Sequence, residues 1–228
     1  MNNRKSIITS LIYSIIFVTA VSFVACSDDD SEKEWKNNNA NAYDKVALNA
    51  NPDTTWIELK DSPEGINDGV YYCVLKQGAG TEKPIGTSQV KVLYKGFYYN
   101  GNIFDSGTNN IKSVDLTELP EAGDPDFNFD SSAVYLLWEG AKYTSYVWLD
   151  GEQKFEETNY DLGYTFYPYG IVRGLSYAIQ NMVVGDKWLV CIPYTLGYGA
   201  SGLYSGGVTL VPGYSTLFFE VQLLDFTK

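Results

Sequence analysis

Beyond its N-terminal apolar run, only one stretch of this chain places apolar residues at a convincing helical spacing. Leu175, Ala178, Ile179, Met182 and Val183 fall at i, i+3, i+4, i+7 and i+8, with Gly185 following as a stop. Most other apolar residues come in strand-length runs: "VYYCVLKQG" from 70, "QVKVLYKGFYY" from 89, "KWLVCIP" from 187 and "TLFFEVQLLDF" from 216. A single helix must bury its stripe against something, and strands are the only partner on offer. The expected class is α+β, one helix layered on an antiparallel sheet.

Within that frame the stretch "YKGFYYNGNIFDSG", residues 94 to 107, reads as a hairpin. Asn100-Gly101 tolerates the positive φ of a tight turn, and the return strand ends in Phe104-Asp105. A blurred copy, "YVWLDGEQKFE", stands at 146 to 156. It has Val147 where the first has Gly96, and Glu156 where the first has Asp105. Either copy would serve as a functional hairpin by spacing. The departures favour the first, leaving the second as inserted strand.

The 228-residue chain has no histidine, which excludes Ser-His-Asp and Cys-His catalysis and His-ligated zinc. A net charge of −12 argues against nucleic acid as a partner. "DPDFNFD" spaces Asp124, Asp126, Asn128 and Asp130 like the start of a calcium loop. Phe129 stands where that loop needs glycine and Tyr135 where it needs glutamate, so a solvated acidic loop is the better reading. No metal or cofactor is expected.

The N-terminus carries Arg4 and Lys5 and then an uncharged apolar run over 7–25, nearly long enough to span a bilayer. Ala25-Cys26 followed by "SDDDSEKE" resembles instead the cleavage box of a bacterial lipoprotein of the Bacteroidetes type, with Cys26 as the lipidated residue. That implies a signal peptide over 1–25 and a lipid anchor in the cell envelope, at an outer membrane or surface. Residues 26–55 read as an acidic tether, unstructured at first and docking near Trp56. A domain over 56–228 follows. Cys73 and Cys191 are read as two strand thiols or as a cross-strand disulfide.

Three blocks in order, "VKVLYKGFYYNGNIFDSG", "IVRGLSYAIQNMVVGDKWLVCIPYTLGYGASG" and "VPGYSTLFFEVQLLDF", resemble the FKBP-type peptidyl-prolyl isomerases. The resemblance covers 69–107 and 162–228. It implies a twisted antiparallel sheet wrapped around one short helix, with residues 108–160 as an insertion after the second hairpin strand, placed beside the pocket. It also implies catalysis of cis–trans exchange in proline-containing polypeptides, by a pocket of Tyr94, Phe104, Asp105, Tyr198 and Phe219. Phe166, or alternatively Tyr164, would join Ile171, Val172 and Leu175 in binding substrate. The floor, most often tryptophan in that family, is Leu175 here. That departure and the insertion leave a second expectation: a binding module of weak catalytic power that holds a peptide or protein.

Overall fold

A computed structural model describes residues 28–51, 54–60, 69–107, 112–158, 160 and 162–228. The apolar run at 7–25 and Cys26 lie outside the described residues. Helix α1 spans Asp28–Ala47, and β1 (Ile57–Glu58), β2 (Tyr71–Lys76), β3 (Gln89–Phe97) and β4 (Ile103–Ser106) follow. Strands β5 (Lys112–Leu116), β6 (Ala133–Glu139), β7 (Lys142–Leu149) and β8 (Lys154–Thr158) come next. Then come β9 (Tyr164–Phe166), helix α2 (Arg173–Ile179), β10 (Lys187–Ile192), β11 (Leu203–Ser205), β12 (Val208–Val211) and β13 (Leu217–Thr227).

The main sheet runs β1-β2-β10-β13-β3-β4, antiparallel throughout, with β9 also pairing with β3. Alternation sorts its side chains. Val90 and Val92 of β3, Val190 and Ile192 of β10, and Phe219, Val221 and Leu223 of β13 form one core with Leu175, Ala178, Ile179 and Met182. This is the expected α+β layering, a helix packed on one face of an antiparallel sheet. α2 closes one turn earlier than its apolar spacing suggests. Asn181 and Met182 continue in tighter turns, and the buried Asp186 carboxylate ties the exit by accepting from Val183 N–H (2.8 Å) and Gly78 N–H (2.7 Å).

The opposite face of the sheet is covered twice. At one end, Val46, Ala42 and Tyr43 of α1 and Trp56 pack on Phe97, Phe218, Leu189 and Cys191. The segment expected to be an unstructured tether is thus a 20-residue helix. Its buried stripe is Trp35, Asn38, Asn39, Ala42, Tyr43 and Val46, at i, i+3, i+4, i+7, i+8 and i+11. Two asparagines on that stripe hide it from a hydrophobic pattern. They belong there because Asn39, 1% exposed, is fully engaged. It donates to Trp35 O (2.8 Å) and accepts from Thr216 N–H (2.8 Å). The Thr216 hydroxyl donates to Asn39 O (2.9 Å). Trp56 docks as expected, buried and held by both amide atoms of Asn49.

At the other end lies a separate four-stranded sheet, β5-β6-β7-β8, in which β5 and β6 run parallel. Val134 and Leu136 pack against Leu93, Leu162 and Leu224, whose neighbours Val92 and Leu223 face the core. The insertion therefore sits on the back of the main sheet and not beside the pocket, a correction dictated by strand alternation. Asp115 fastens it. Its carboxylate accepts from Trp138 Nε1 (2.7 Å) and Gln222 Nε2 (3.0 Å) and pairs with Lys76 (3.2 Å). The insertion's other face is an aromatic cluster of Phe127, Phe129, Tyr135, Trp148 and Phe155.

Candidate functional site

The first hairpin turns where the sequence places it. Gly101 adopts φ +82°, its N–H donates to Tyr98 O (2.9 Å), and Asn100 Oδ1 accepts from Asn102 N–H. The turn sets Asp105 opposite Gly96 in the β3–β4 register. A Cβ on Gly96 would stand 2.7 Å from Phe104 Cζ and 2.8 Å from Phe219 Cε1. The glycine exists so that two rings can meet over bare backbone. Those rings lie edge to face with centroids 5.5 Å apart.

Tyr94 stands on the same face. Its ring is 6.4 Å from both Phe166 and Phe219, and its hydroxyl donates to Asp105 Oδ2 (3.0 Å). The Asp105 Oδ1 accepts the N–H of Ser106 (2.8 Å), which fixes the carboxylate at the strand edge. Leu175 is buried beneath these rings, and Ile171, Val172 and Tyr198 pack against the same cluster. Nine of the expected residues therefore share one cluster with its rim carboxylate: Tyr94, Phe104, Asp105, Phe166, Ile171, Val172, Leu175, Tyr198 and Phe219. Tyr164 is different. It is 54% exposed and meets Tyr94 edge-on at 6.3 Å, so it stands outside the cluster that Phe166 enters.

Burial raises the Tyr94 hydroxyl well above its usual range, and the Asp105 charge and hydrogen bond add to it. Burial, then the same carboxylate, raises Tyr198. Both remain neutral donors. Among the described residues, the Tyr198 hydroxyl and the Val172 N–H have no intramolecular partner. A half-buried apolar box with one rim carboxylate and uncommitted donors suits a neutral ligand carrying carbonyls. It offers no nucleophile paired with a base.

Tyr98 is the residue that sequence reasoning missed. Buried next to the turn, it lays its ring 4.9 Å from Phe104 and donates to Leu210 O (3.2 Å). Burial, and secondarily the Tyr198 charge, pushes its hydroxyl up to about 12. The clue was its place two residues before Asn100-Gly101, on the side of β3 shared with Tyr94.

The second hairpin pairs Val147 with Glu156, the same relation as Gly96 with Asp105, but in the inserted sheet. It contributes no ring to the pocket among the described residues. In the acidic loop, Asp124 Oδ1 accepts from Asp126 N–H (2.9 Å). The Asp130 carboxyl is held down to about 2 by hydrogen bonds from the Ser132 hydroxyl, Lys112 and the Ser132 N–H. Among the described residues no group of three or more acidic or thiol side chains is placed to hold a metal ion. Cys73 and Cys191 are free thiols. Cys191 pairs with Tyr71 and Cys73 with Leu189, a diagonal offset too long for a disulfide without backbone movement.

Residues 141–224 match the family model of the FKBP-type peptidyl-prolyl cis-trans isomerases. This segment of the chain, just over a third of its length, is thus similar to the FKBP-type isomerases. The macrophage infectivity potentiator of Trypanosoma cruzi is 43% identical over 61 residues, 27% of this chain and 29% of that protein. The FKBP-type 22 kDa peptidyl-prolyl cis-trans isomerase of Escherichia coli K12 is 26% identical over 173 residues, 75% of this chain and 57% of that one. In both cases less than two thirds of the relative's length is spanned. A crystal structure of a peptidyl-prolyl cis-trans isomerase from Pseudomonas syringae pv. tomato overlays 90% of this chain and all of its own at 21% identity, with a TM-score of 0.48. The match to the FKBP-type model begins one residue before β7 and so runs through the second hairpin, and it leaves out β3 and β4, which carry Tyr94, Phe104 and Asp105.

Proposed function

We propose that this FKBP-type domain is a peptidyl-prolyl cis–trans isomerase that assists the folding of polypeptides outside the cytoplasm. The observation that carries the reading is the pocket itself: crossed aromatic rings over Gly96, with Tyr94 bonded to Asp105 at the rim. Amide resonance sets a rotational barrier of about 18–20 kcal/mol, while the cis and trans forms of an X-Pro bond are nearly balanced. A catalyst need only favour the twisted state. The twisted amide loses resonance and is less strongly hydrated through its carbonyl, so an apolar ring-lined box binds it better than the planar form. Phe104, Phe166, Phe219 and Leu175 would hold the proline ring. Tyr198 would donate to the carbonyl, and Asp105 would keep Tyr94 oriented. No proton transfer or covalent intermediate is needed, in keeping with a chain without histidine.

The test is exchange spectroscopy by NMR on a proline peptide with the chain from residue 27 onward. Exchange no faster than in buffer overturns the reading. Leu175 at the pocket floor favours a second reading, a peptide-binding module of low catalytic power, for which the same experiment returns broadening on binding without exchange. The envelope location rests on the 7–25 run and Cys26. Metabolic labelling with palmitate, lost in Cys26→Ala, would support a lipid anchor, and no label in the native chain would remove it.

A further inference from the structure

We propose that helix α1 is a positioning element for the pocket, acting through Trp35 and Asn39 on the rings of Phe104 and Phe219; this rests on the isomerase reading and deepens it. α1 lies outside the segment that matches the FKBP-type model. It nonetheless touches both pieces of chain that carry the crossed rings, by two separate routes.

The first route runs through the hairpin tip. The Trp35 ring meets Tyr98 edge-on at 5.2 Å and lies 5.4 Å from Tyr99. Tyr98 in turn lies 4.9 Å from Phe104, and its hydroxyl is anchored on Leu210 O. Phe104 is thus held between Tyr98 and Phe219, with Trp35 behind Tyr98 as a backstop. Nothing else on the short strand β4 fixes that ring, since its neighbours Ile103 and Asp105 are exposed.

The second route reaches β13. Asn39 accepts the N–H of Thr216 and receives its hydroxyl, one residue before β13 begins and three before Phe219. Trp35 Nε1 donates to Ser215 Oγ (3.3 Å), and Ser215 donates to Pro212 O (2.6 Å). Lys36 stands 4.1 Å over the ring of Tyr214, whose N–H donates to Gly199 O, next to Tyr198. A buried amide that satisfies a neighbouring segment's N–H fixes that segment's register more firmly than an apolar contact would.

Ring geometry at the pocket therefore depends on a helix far away in sequence. Catalysis that works by positioning is sensitive to small displacements of this kind. In the full chain, Asn39→Ala and Trp35→Ala are expected to lower the catalytic rate constant for peptide exchange about tenfold. KM should change less than kcat, because the apolar surface remains while its alignment is lost. Trp35→Phe keeps the ring and should restore most of the rate. Asn38→Ala, on the same helix but bonded only to the Tyr99 hydroxyl, should leave the rate within about twofold.

Aromatic NMR resonances of Phe104 and Phe219, assigned with Phe→Leu variants, supply a readout independent of activity. They should move in Asn39→Ala and not in Asn38→Ala. Rate and resonances unchanged in Asn39→Ala, with only a lower melting temperature, would show that α1 merely stabilises the fold and would overturn the proposal. If the native chain fails to catalyse exchange, the isomerase reading falls, and the resonances alone then decide whether α1 sets the rings.

Discussion

Two hairpins of near-identical pattern lie about fifty residues apart in this chain, and the structure gives them opposite employment. In β3–β4, Gly96 faces Asp105 and the bare backbone carries two crossed rings. In β7–β8, Val147 faces Glu156, and the valine packs beside Val134 and Leu136, which seat the inserted sheet on the back of the domain. One Cβ separates a surface that can hold a ligand ring from one that holds a neighbouring layer. A local sequence match can slide from one hairpin to the other; the long-range pairing of β3 with β13 cannot.

The most disruptive way to erase the difference is to give the first hairpin the second's residue. Gly96→Val should drive Phe104 and Phe219 apart, destabilise the domain by about 3 kcal/mol in urea unfolding, and abolish exchange. A variant that stays fully stable would show that the rings need no bare backbone. Next in size is the carboxylate pair. Asp105→Ala should slow peptide exchange about tenfold, ~1.4 kcal/mol of barrier, while Glu156→Ala leaves it unchanged. Equal effects would make the hairpins equivalent.

Alkaline titration separates them more gently. Tyr94, Tyr98 and Tyr198 bind their phenolic protons more tightly in the folded chain than in the unfolded one. The stability they contribute is therefore intact below about pH 10, the unfolded tyrosine value, and is lost as pH rises through the folded value of about 12 for Tyr98. Tyr98→Phe should flatten the fall of urea stability over that window; an unchanged slope would place the loss elsewhere. Smallest is Asp150→Ala at the second turn, which removes the acceptor of Trp148 Nε1 (2.7 Å). A loss of about 1 kcal/mol with no change in exchange is expected.

The helix α2, the Asn100-Gly101 turn and the pocket cluster were legible because each rests on local pattern or on a spaced family block. α1 was not, because Asn38 and Asn39 occupy its stripe and work by hydrogen bonds that no hydrophobic period records. The seat of the insertion was legible only in hindsight. On the face of β3 and β13 that carries Lys91, Lys95, Glu220 and Gln222, the apolar residues are Leu93 and Leu224, which the inserted sheet covers, and Phe97 and Phe218, which α1 and Trp56 cover. Tyr98 escaped because turn-flanking aromatics are common, and only the partner across the turn gives it a role.

The placement of β13 between β3 and β10 has a consequence for the order of assembly. The central ladder joins Gln89–Phe97 to Leu217–Thr227, so β3 stays without its main partner until the insertion, α2 and β10 have all been made. Such a ladder closes a long loop and forms late. A domain of this topology can complete its main sheet only once its last strand has been made.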